Sequence, residues 1–156
     1  MVSSSASLRV RLAFLVALAL AWAPRAFAVE IPEDLLAAIA RVETRNGTDA
    51  RDGDSGNSIG HFQIQRAYWA EAMESLGHPW PYREARDPEK ARRAVRAYLE
   101  RWGTYYEETY GREATPEVLA RIHNGGPRGW QKRRTLRYWR RVQAALERTE
   151  SEEGEG

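Results

Sequence analysis

One glutamate early in the chain has the residue type and position of a general acid. Glu43 follows Leu36 by seven residues and Ile39 by four, so a helix through this region places it on or beside the apolar face. A carboxyl group there is partly desolvated, and desolvation favours the protonated form that can give a proton to a glycosidic oxygen. The simpler interpretation is a glutamate at the edge of that face, paired with Arg41 or Arg45.

A second carboxylate could come from the segment that follows. Asp49, Asp52 and Asp54 lie in residues 48–60, which are turn formers almost throughout. A carboxylate beside a glycosidase acid serves as the nucleophile or as the base that activates a water. The same residues also fit ordinary turn chemistry. They fit a calcium loop poorly, because the helix–loop–helix spacing and the terminal glutamate are missing.

A third segment, His123-Asn124-Gly125-Gly126-Pro127, follows a helical pattern. Glycine permits close backbone approach, and Asn124 could hydrogen-bond an N-acetyl group or a sugar hydroxyl. Taken alone, the segment is equally typical of a helix stop followed by a turn.

The hydrophobic periodicity predicts a mainly α-helical fold in one domain over residues 29–148. A first helix begins at Ile31-Pro32-Glu33-Asp34 and stops at Asn46-Gly47, and a small loop or hairpin follows, with a short strand or buried turn in 59–65. Residues 149–156 are acidic and contain glycine, which predicts disorder. Further helices are predicted over 65–76, 87–110, 115–124 and 132–148.

The first 28 residues have the three parts of a secretory signal peptide. Arg9 and Arg11 precede an apolar run over 12–22, and Ala26-Phe27-Ala28 matches a cleavage site. The run is shorter than the roughly 20 residues of a spanning helix, so a retained membrane anchor is the lesser alternative. We expect a secreted or periplasmic protein, without stable membrane insertion after cleavage.

Removal of this segment changes the charge balance. The chain has 24 basic and 22 acidic residues, and losing three arginines leaves 21 basic residues and a formal charge of −1. This balance argues against a nucleic-acid partner.

Six basic residues in 132–141 have two interpretations: attraction to an anionic polymer, or a solvated helix face, which is favoured.

The chain contains no cysteine, so its core must stabilise it without disulfides. The absence of thiols excludes a cysteine nucleophile and a thiolate zinc site. His61 and His78 have no metal-ligand partner at useful spacing, so we predict no metal and no cofactor.

Three blocks together resemble the invertebrate-type (destabilase) lysozymes. That family shows Gly-x-Phe-Gln-Ile, a Tyr-Trp shortly after it, His-Asn-Gly-Gly-Pro and a late Tyr-Trp, in this order. The wider lysozyme-like and lytic transglycosylase group shares the Glu…Gly-x-x-Gln…Asn-Gly-Gly layout. Here the blocks are Gly60-His61-Phe62-Gln63-Ile64-Gln65 with Tyr68-Trp69, Ile122-His123-Asn124-Gly125-Gly126-Pro127, and Tyr138-Trp139.

The resemblance implies an α+β lysozyme-like fold and cleavage of the β-1,4 bond between N-acetylmuramic acid and N-acetylglucosamine in peptidoglycan. It implies that Glu43 is the acid and that the second carboxylate lies before the Gly-x-Phe-Gln-Ile block, where Asp54 is preferred to Asp52. The remaining cleft residues implied are Gln63, Tyr68, His123 and Asn124.

Two departures from the family leave alternatives open. The relatives are rich in disulfides, so this chain resembles a bacterial cousin that is stabilised otherwise. The uncertain aspartate leaves room for a lytic transglycosylase, which needs one glutamate because a hydroxyl of the substrate closes a 1,6-anhydro ring. A non-catalytic peptidoglycan-binding protein is the alternative from another class.

Overall fold

Residues 29–44, 52–53 and 56–154 are described by a computed structural model of the chain. They form five α-helices and a two-stranded sheet, which confirms the mainly α-helical fold with a small hairpin between the first two helices. The elements are α1 (Glu33–Glu43), β1 (Ser58–Ile59), β2 (Ile64–Gln65), α2 (Arg66–Leu76), α3 (Pro88–Tyr110), α4 (Pro116–Gly125) and α5 (Thr135–Gly154), with 3-10 turns at Tyr82–Arg86 and Gly129–Gln131.

Local capping signals set most helix ends. The Asp87 carboxylate accepts the backbone N–H groups of Glu89 and Lys90, both at 3.0 Å, and a proline takes the first position of α3. The helix ends before Gly111, whose φ of 61° is readily adopted by glycine. These signals are visible in the sequence, so the predicted bounds of α3 lie within a residue of those observed.

The last helix is the exception. It begins at Thr135 and continues to Gly154, whereas the sequence predicted a helix over 132–148 and a disordered tail from residue 149. The helix therefore extends past residue 148, where the sequence predicted that it ends. Acidic composition indicated a solvated segment, but such a segment can also continue a helix whose earlier turns are packed.

All five helices contribute to one core. Helix α1 packs against α5, α2 against α3, and α4 against both α3 and α5. This arrangement buries apolar side chains from each helix, and a fully buried leucine is worth about 2 kcal/mol. Examples are Leu36, Ile39, Trp69, Val95, Leu99, Leu119, Ile122 and Val142. Among the described helices, none is long and apolar enough to cross a membrane.

The hairpin is braced from outside by the 3-10 turn Tyr82–Arg86. Strands β1 and β2 pair antiparallel, with Ile59 opposite Ile64. The Tyr82 hydroxyl donates to the carbonyl of Ile64 at 2.7 Å. Gly60, with φ +72°, lies so close to the carbonyl oxygen of Ala85 that an added Cβ would stand 2.1 Å from it. Two short strands pair weakly by themselves, so the brace fixes their position.

A substitution at Gly60 tests this close approach. We expect Gly60→Ala to lower the free energy of unfolding by more than about 3 kcal/mol, because it combines left-handed backbone strain with a backbone clash. Gly77→Ala is the matched control: its φ is +63°, but an added Cβ meets nothing within 4 Å, so a loss of about 1 kcal/mol is expected. Urea denaturation measures both, and equal losses would contradict the brace.

Candidate active site

A cleft of about 600 Å³ opens where the C-terminal ends of α1 and α4 meet the hairpin and the start of α2. Five residues singled out in the sequence line it together: Glu43, Gln63, Tyr68, His123 and Asn124. Its other lining residues are Ser58, Gln65, Ala67, Glu71, Tyr98, Gly125, Gly126, Pro127 and Arg134. Another concavity, of about 480 Å³ near Val29 and Glu107, contains none of the predicted site residues.

Glu43 is the last residue of α1. Thr44 follows it as the C-terminal cap, with φ −102° and ψ 15°, and its backbone N–H and hydroxyl both donate to the carbonyl of Ala40, at 3.0 and 2.8 Å. The Glu43 side chain is 18% exposed, and its Oε1 lies 3.7 Å from Nε2 of His123. The acid is thus mostly buried but reachable from the cleft.

His123 is the buried centre of the site. Burial lowers the pKa of its imidazole to about 4, against a smaller opposing effect of a backbone hydrogen bond to Phe62. The ring is therefore neutral at pH 7, and its contact with Glu43 is not an ion pair. Nδ1 lies 3.1 Å from the Tyr68 hydroxyl. The geometry fits the tautomer with hydrogen on Nε2, in which Nδ1 accepts from Tyr68.

Two tyrosine rings form one wall of the cleft. Tyr68 of α2 stacks on Tyr98 of α3, with ring centroids 3.6 Å apart and planes at 17°. Burial raises the pKa of the Tyr68 hydroxyl well above its usual value, and Tyr98 and Glu43 add to the effect. The hydroxyl therefore keeps its proton and can donate to His123.

Tyr138 of α5 closes the site behind Glu43. Its hydroxyl is buried beside the Glu43 carboxylate. Burial raises the pKa of this phenol well above its usual value, and the nearby Glu43 carboxylate raises it further. The guanidinium of Arg141 lies 5.4 Å from the centre of the Tyr138 ring.

Gln63 has an unusual backbone conformation for a residue with a side chain, with φ of +48°. Its side-chain amide donates to the carbonyl of Gly60 at 3.0 Å, and this bond closes the hairpin turn. Its Oε1 lies against Gly53, where an added Cβ would stand 2.2 Å from it. Gly53 is in turn bridged to Ser58. Gln63 thus connects the cleft to the segment that carries the loop aspartates.

Asn124 is held by the turn that ends α4. Gly126 has φ +79°, and the Lys132 ammonium donates to the carbonyl of Gly125. A Cβ on Gly125 would stand 2.8 Å from the Thr135 side chain, so α5 packs directly on this turn. Gly125 therefore serves close packing and Gly126 a turn at positive φ, and Asn124 is left exposed at the cleft.

The two aspartates are placed differently. Asp52 pairs with Arg86 of the 3-10 turn at 2.5 Å and is not among the residues that line the cleft. Asp54 lies outside the described residues, as does Asp49. On either side of residues 54–55, the N–H of Gly56 donates to the carbonyl of Gly53 at 2.9 Å.

The sequence reasoning missed a second carboxylate in the cleft wall. Glu71 lines the cleft, and its Oε2 accepts the indole N–H of Trp102 at 2.9 Å. It follows Tyr68 by three residues on α2, so helical spacing could have placed it on the same face. Tyr98 and Arg134 were also missed as cleft residues, because they reach the site from helices distant in sequence. In the described part of the chain, no group of three or more potential ligand side chains could hold a metal.

This combination of a helical core, a small hairpin and a cleft with a carboxyl group at the end of the first helix defines a lysozyme-like protein. A family model described as Destabilase matches residues 32–145. The chain belongs to the destabilase family, which confirms the resemblance seen in the sequence.

Named relatives agree with this assignment. The chain is 43% identical to Lysozyme 1 of Crassostrea virginica over 90 residues, which are 58% of this chain and 46% of the relative. It is 33% identical to invertebrate-type lysozyme 6 of Caenorhabditis elegans over 124 residues, 73% of this chain and 87% of that one. The chain thus spans about half the length of the first of these curated relatives.

Solved structures show the same fold. A crystal structure of inhibitor-bound lysozyme from Meretrix lusoria matches with a TM-score of 0.56 and 31% identity, covering 73% of this chain and 89% of that one. Tapes japonica lysozyme matches with a TM-score of 0.56 and 29% identity, covering 72% and 88%.

The low pKa of His123 predicts a pH-dependent stability. An unfolded histidine takes up a proton near pH 6.5 and the folded one only near pH 4, so acidification between these values favours unfolding. We expect the free energy of unfolding to fall by up to about 3 kcal/mol across this range through His123 alone. Urea denaturation at several pH values measures it.

An NMR titration of the histidine ring signals of the wild-type protein tests the same point directly. The His123 signal, assigned by its loss in His123→Leu, should titrate with a midpoint near 4. A midpoint at 6 or above would show that the imidazole is not desolvated.

Proposed function

We propose that this protein is a lysozyme-like glycosidase that cleaves the β-1,4 bond between N-acetylmuramic acid and N-acetylglucosamine in peptidoglycan. The observation that carries the proposal is the position of Glu43, at the end of α1 and mostly buried beside His123 and Tyr138. The lysozyme names of the relatives support the same activity.

Glu43 acts as the general acid that protonates the leaving glycosidic oxygen. A helix C-terminus carries partial negative charge, and burial penalises a carboxylate, so both features of its position favour the protonated acid. The proton is then available where the cleft opens. Departure of the leaving sugar creates positive charge on the remaining ring, which the resulting Glu43 carboxylate and a second carboxylate stabilise.

Asp54 is the proposed second carboxylate, as nucleophile or as the group that shields the oxocarbenium-like centre. Its neighbour Gly53 contacts Gln63, a cleft residue, and this contact supports the choice of Asp54. Asp52 forms an ion pair with Arg86, so we give it a structural role in bracing the hairpin.

The other predicted cleft residues bind and position the glycan. Asn124 offers an exposed amide to an N-acetyl group or hydroxyl, and Gln63 fixes the hairpin edge. Tyr68 and His123 form a neutral hydrogen-bonded pair that holds the acid in place without placing a cation beside it. No cofactor takes part in this reaction, and no nucleic-acid partner is proposed.

Export of the chain and cleavage after Ala28 are part of the proposal. Val29, the residue that follows the proposed cleavage site, is buried and packs over Gly103, which supports a mature domain that retains this residue. The mature protein would then act on walls outside the cytoplasm.

Peptidoglycan digestion tests the general acid. The mature protein should release soluble muropeptides with reducing ends from purified peptidoglycan, and Glu43→Gln should reduce the rate at least about 1,000-fold because the proton donor is lost. Mass spectrometry of the fragments identifies the products, and a thermal melt checks that the variant is folded. Fragments lighter by one water would instead indicate a lytic transglycosylase. No fragments from the wild-type protein would favour a binding-only role.

The two aspartates form a matched pair of variants. Asp54→Asn should lower the rate about 100-fold with little change in stability, because it removes the second carboxylate. Asp52→Asn should leave the rate within about threefold and lower the free energy of unfolding by at most about 1 kcal/mol, as for other exposed ion pairs. A larger loss of rate in Asp52→Asn than in Asp54→Asn would instead identify Asp52 as the second carboxylate.

A further inference from the structure

A smaller concavity, different from the one near Val29, adjoins the cleft along α5. It has a volume of about 290 Å³ and is lined by Asn124, Arg134, Arg137, Tyr138 and Arg141. Asn124 and Arg134 also line the cleft, so the two spaces share a wall. We call this concavity the arginine groove. A polymer lying in the cleft could therefore place a substituent in the groove.

The arginines of the groove differ from several arginines elsewhere in the described chain, which form ion pairs. Arg86, Arg92, Arg96, Arg101 and Arg121 each pair with a carboxylate. Arg134, Arg137 and Arg141 are exposed and form no ion pair within the described residues. They recur at helical spacing on one side of α5, and residues 132–141 contain six basic residues and no acidic one.

Folding does not explain where these charges lie. Arg134 directly precedes α5 and Arg137 lies in its first turn, where the partial positive charge of the helix end disfavours cations. The formal charge of residues 29–156 is −1, so the groove is a local concentration and not part of a generally basic surface. The same helix end and guanidiniums together attract an anion.

We propose that the arginine groove is a subsite for the carboxylates of the peptide stems that peptidoglycan carries on its muramic acid residues. The proposal rests on the proposed function, because it assumes a glycan strand in the cleft. Guanidinium groups bind carboxylates through paired hydrogen bonds, and Arg141 is oriented over the Tyr138 ring. The subsite favours strands that bear anionic stems over strands whose stems are neutral.

Binding is measured by co-sedimentation in the Glu43→Gln background, so that it does not depend on turnover. The ligand is peptidoglycan freed of wall polymers, compared with the same material after its carboxylates are amidated. The test variant is Arg137→Gln with Arg141→Gln. The control is Arg133→Gln with Arg140→Gln, which removes two exposed charges from the same segment outside the groove.

We expect the test variant to bind native peptidoglycan about five- to tenfold more weakly, since two exposed ion pairs are lost. On amidated material it should bind as the parent does, and the control should stay within about twofold on both. Equal losses in test and control variants, or a loss that persists on amidated material, would overturn the subsite. Absence of turnover by the wild-type protein, with this binding pattern intact, would reject the hydrolase and leave the subsite standing.

Discussion

The site depends on a neutral imidazole on α4 that is buried between groups from three other elements. His123 of α4 faces Glu43 of α1 through one ring nitrogen and Tyr68 of α2 through the other, and it is hydrogen-bonded to the backbone of Phe62 in the hairpin turn. Burial keeps the ring uncharged, so it can lie beside an acid without converting it into a permanently paired carboxylate. The helices and the hairpin must pack in their observed positions for these contacts to coexist.

The hairpin shapes one edge of the cleft, and its own strand pairing adds little stability. Its strands have two residues each, and it is positioned by Tyr82, by the approach of Gly60 to Ala85 and by the ion pair between Arg86 and Asp52. This bracing holds Gln63 at a positive φ, a backbone conformation that is unfavourable for a residue with a side chain and that an unbraced loop would not maintain. A domain without cysteines thus fixes the edge of its cleft by packing and hydrogen bonds.

Charge is distributed according to position relative to the cleft. Several arginines far from it are paired with carboxylates, as in the contacts of Arg92 and Arg96 with Glu33. Inside the site, the side chains of His123, Tyr68 and Tyr138 are uncharged because they are buried. The arginines beside the cleft remain available to a ligand, which fits an enzyme whose proposed substrate is a polymer with a neutral backbone and charged branches.

Local signals in the sequence determined the secondary-structure elements and singled out Glu43 as the candidate acid. Proline and aspartate at helix starts, and glycine after helix ends, gave the bounds of α3 and α4, because capping involves only neighbouring residues. Position on the apolar face marked Glu43, and the ordered motifs identified the family.

Only the tertiary structure decided which of these residues meet. Tyr68 and His123 are 55 residues apart in sequence, and Asp52 and Arg86 are 34 apart, so helical periodicity carries no information about either contact. The same is true of Tyr98, Tyr138 and the arginine groove. Periodicity tells which face of a helix is buried, but the packing of whole helices decides what lies opposite that face.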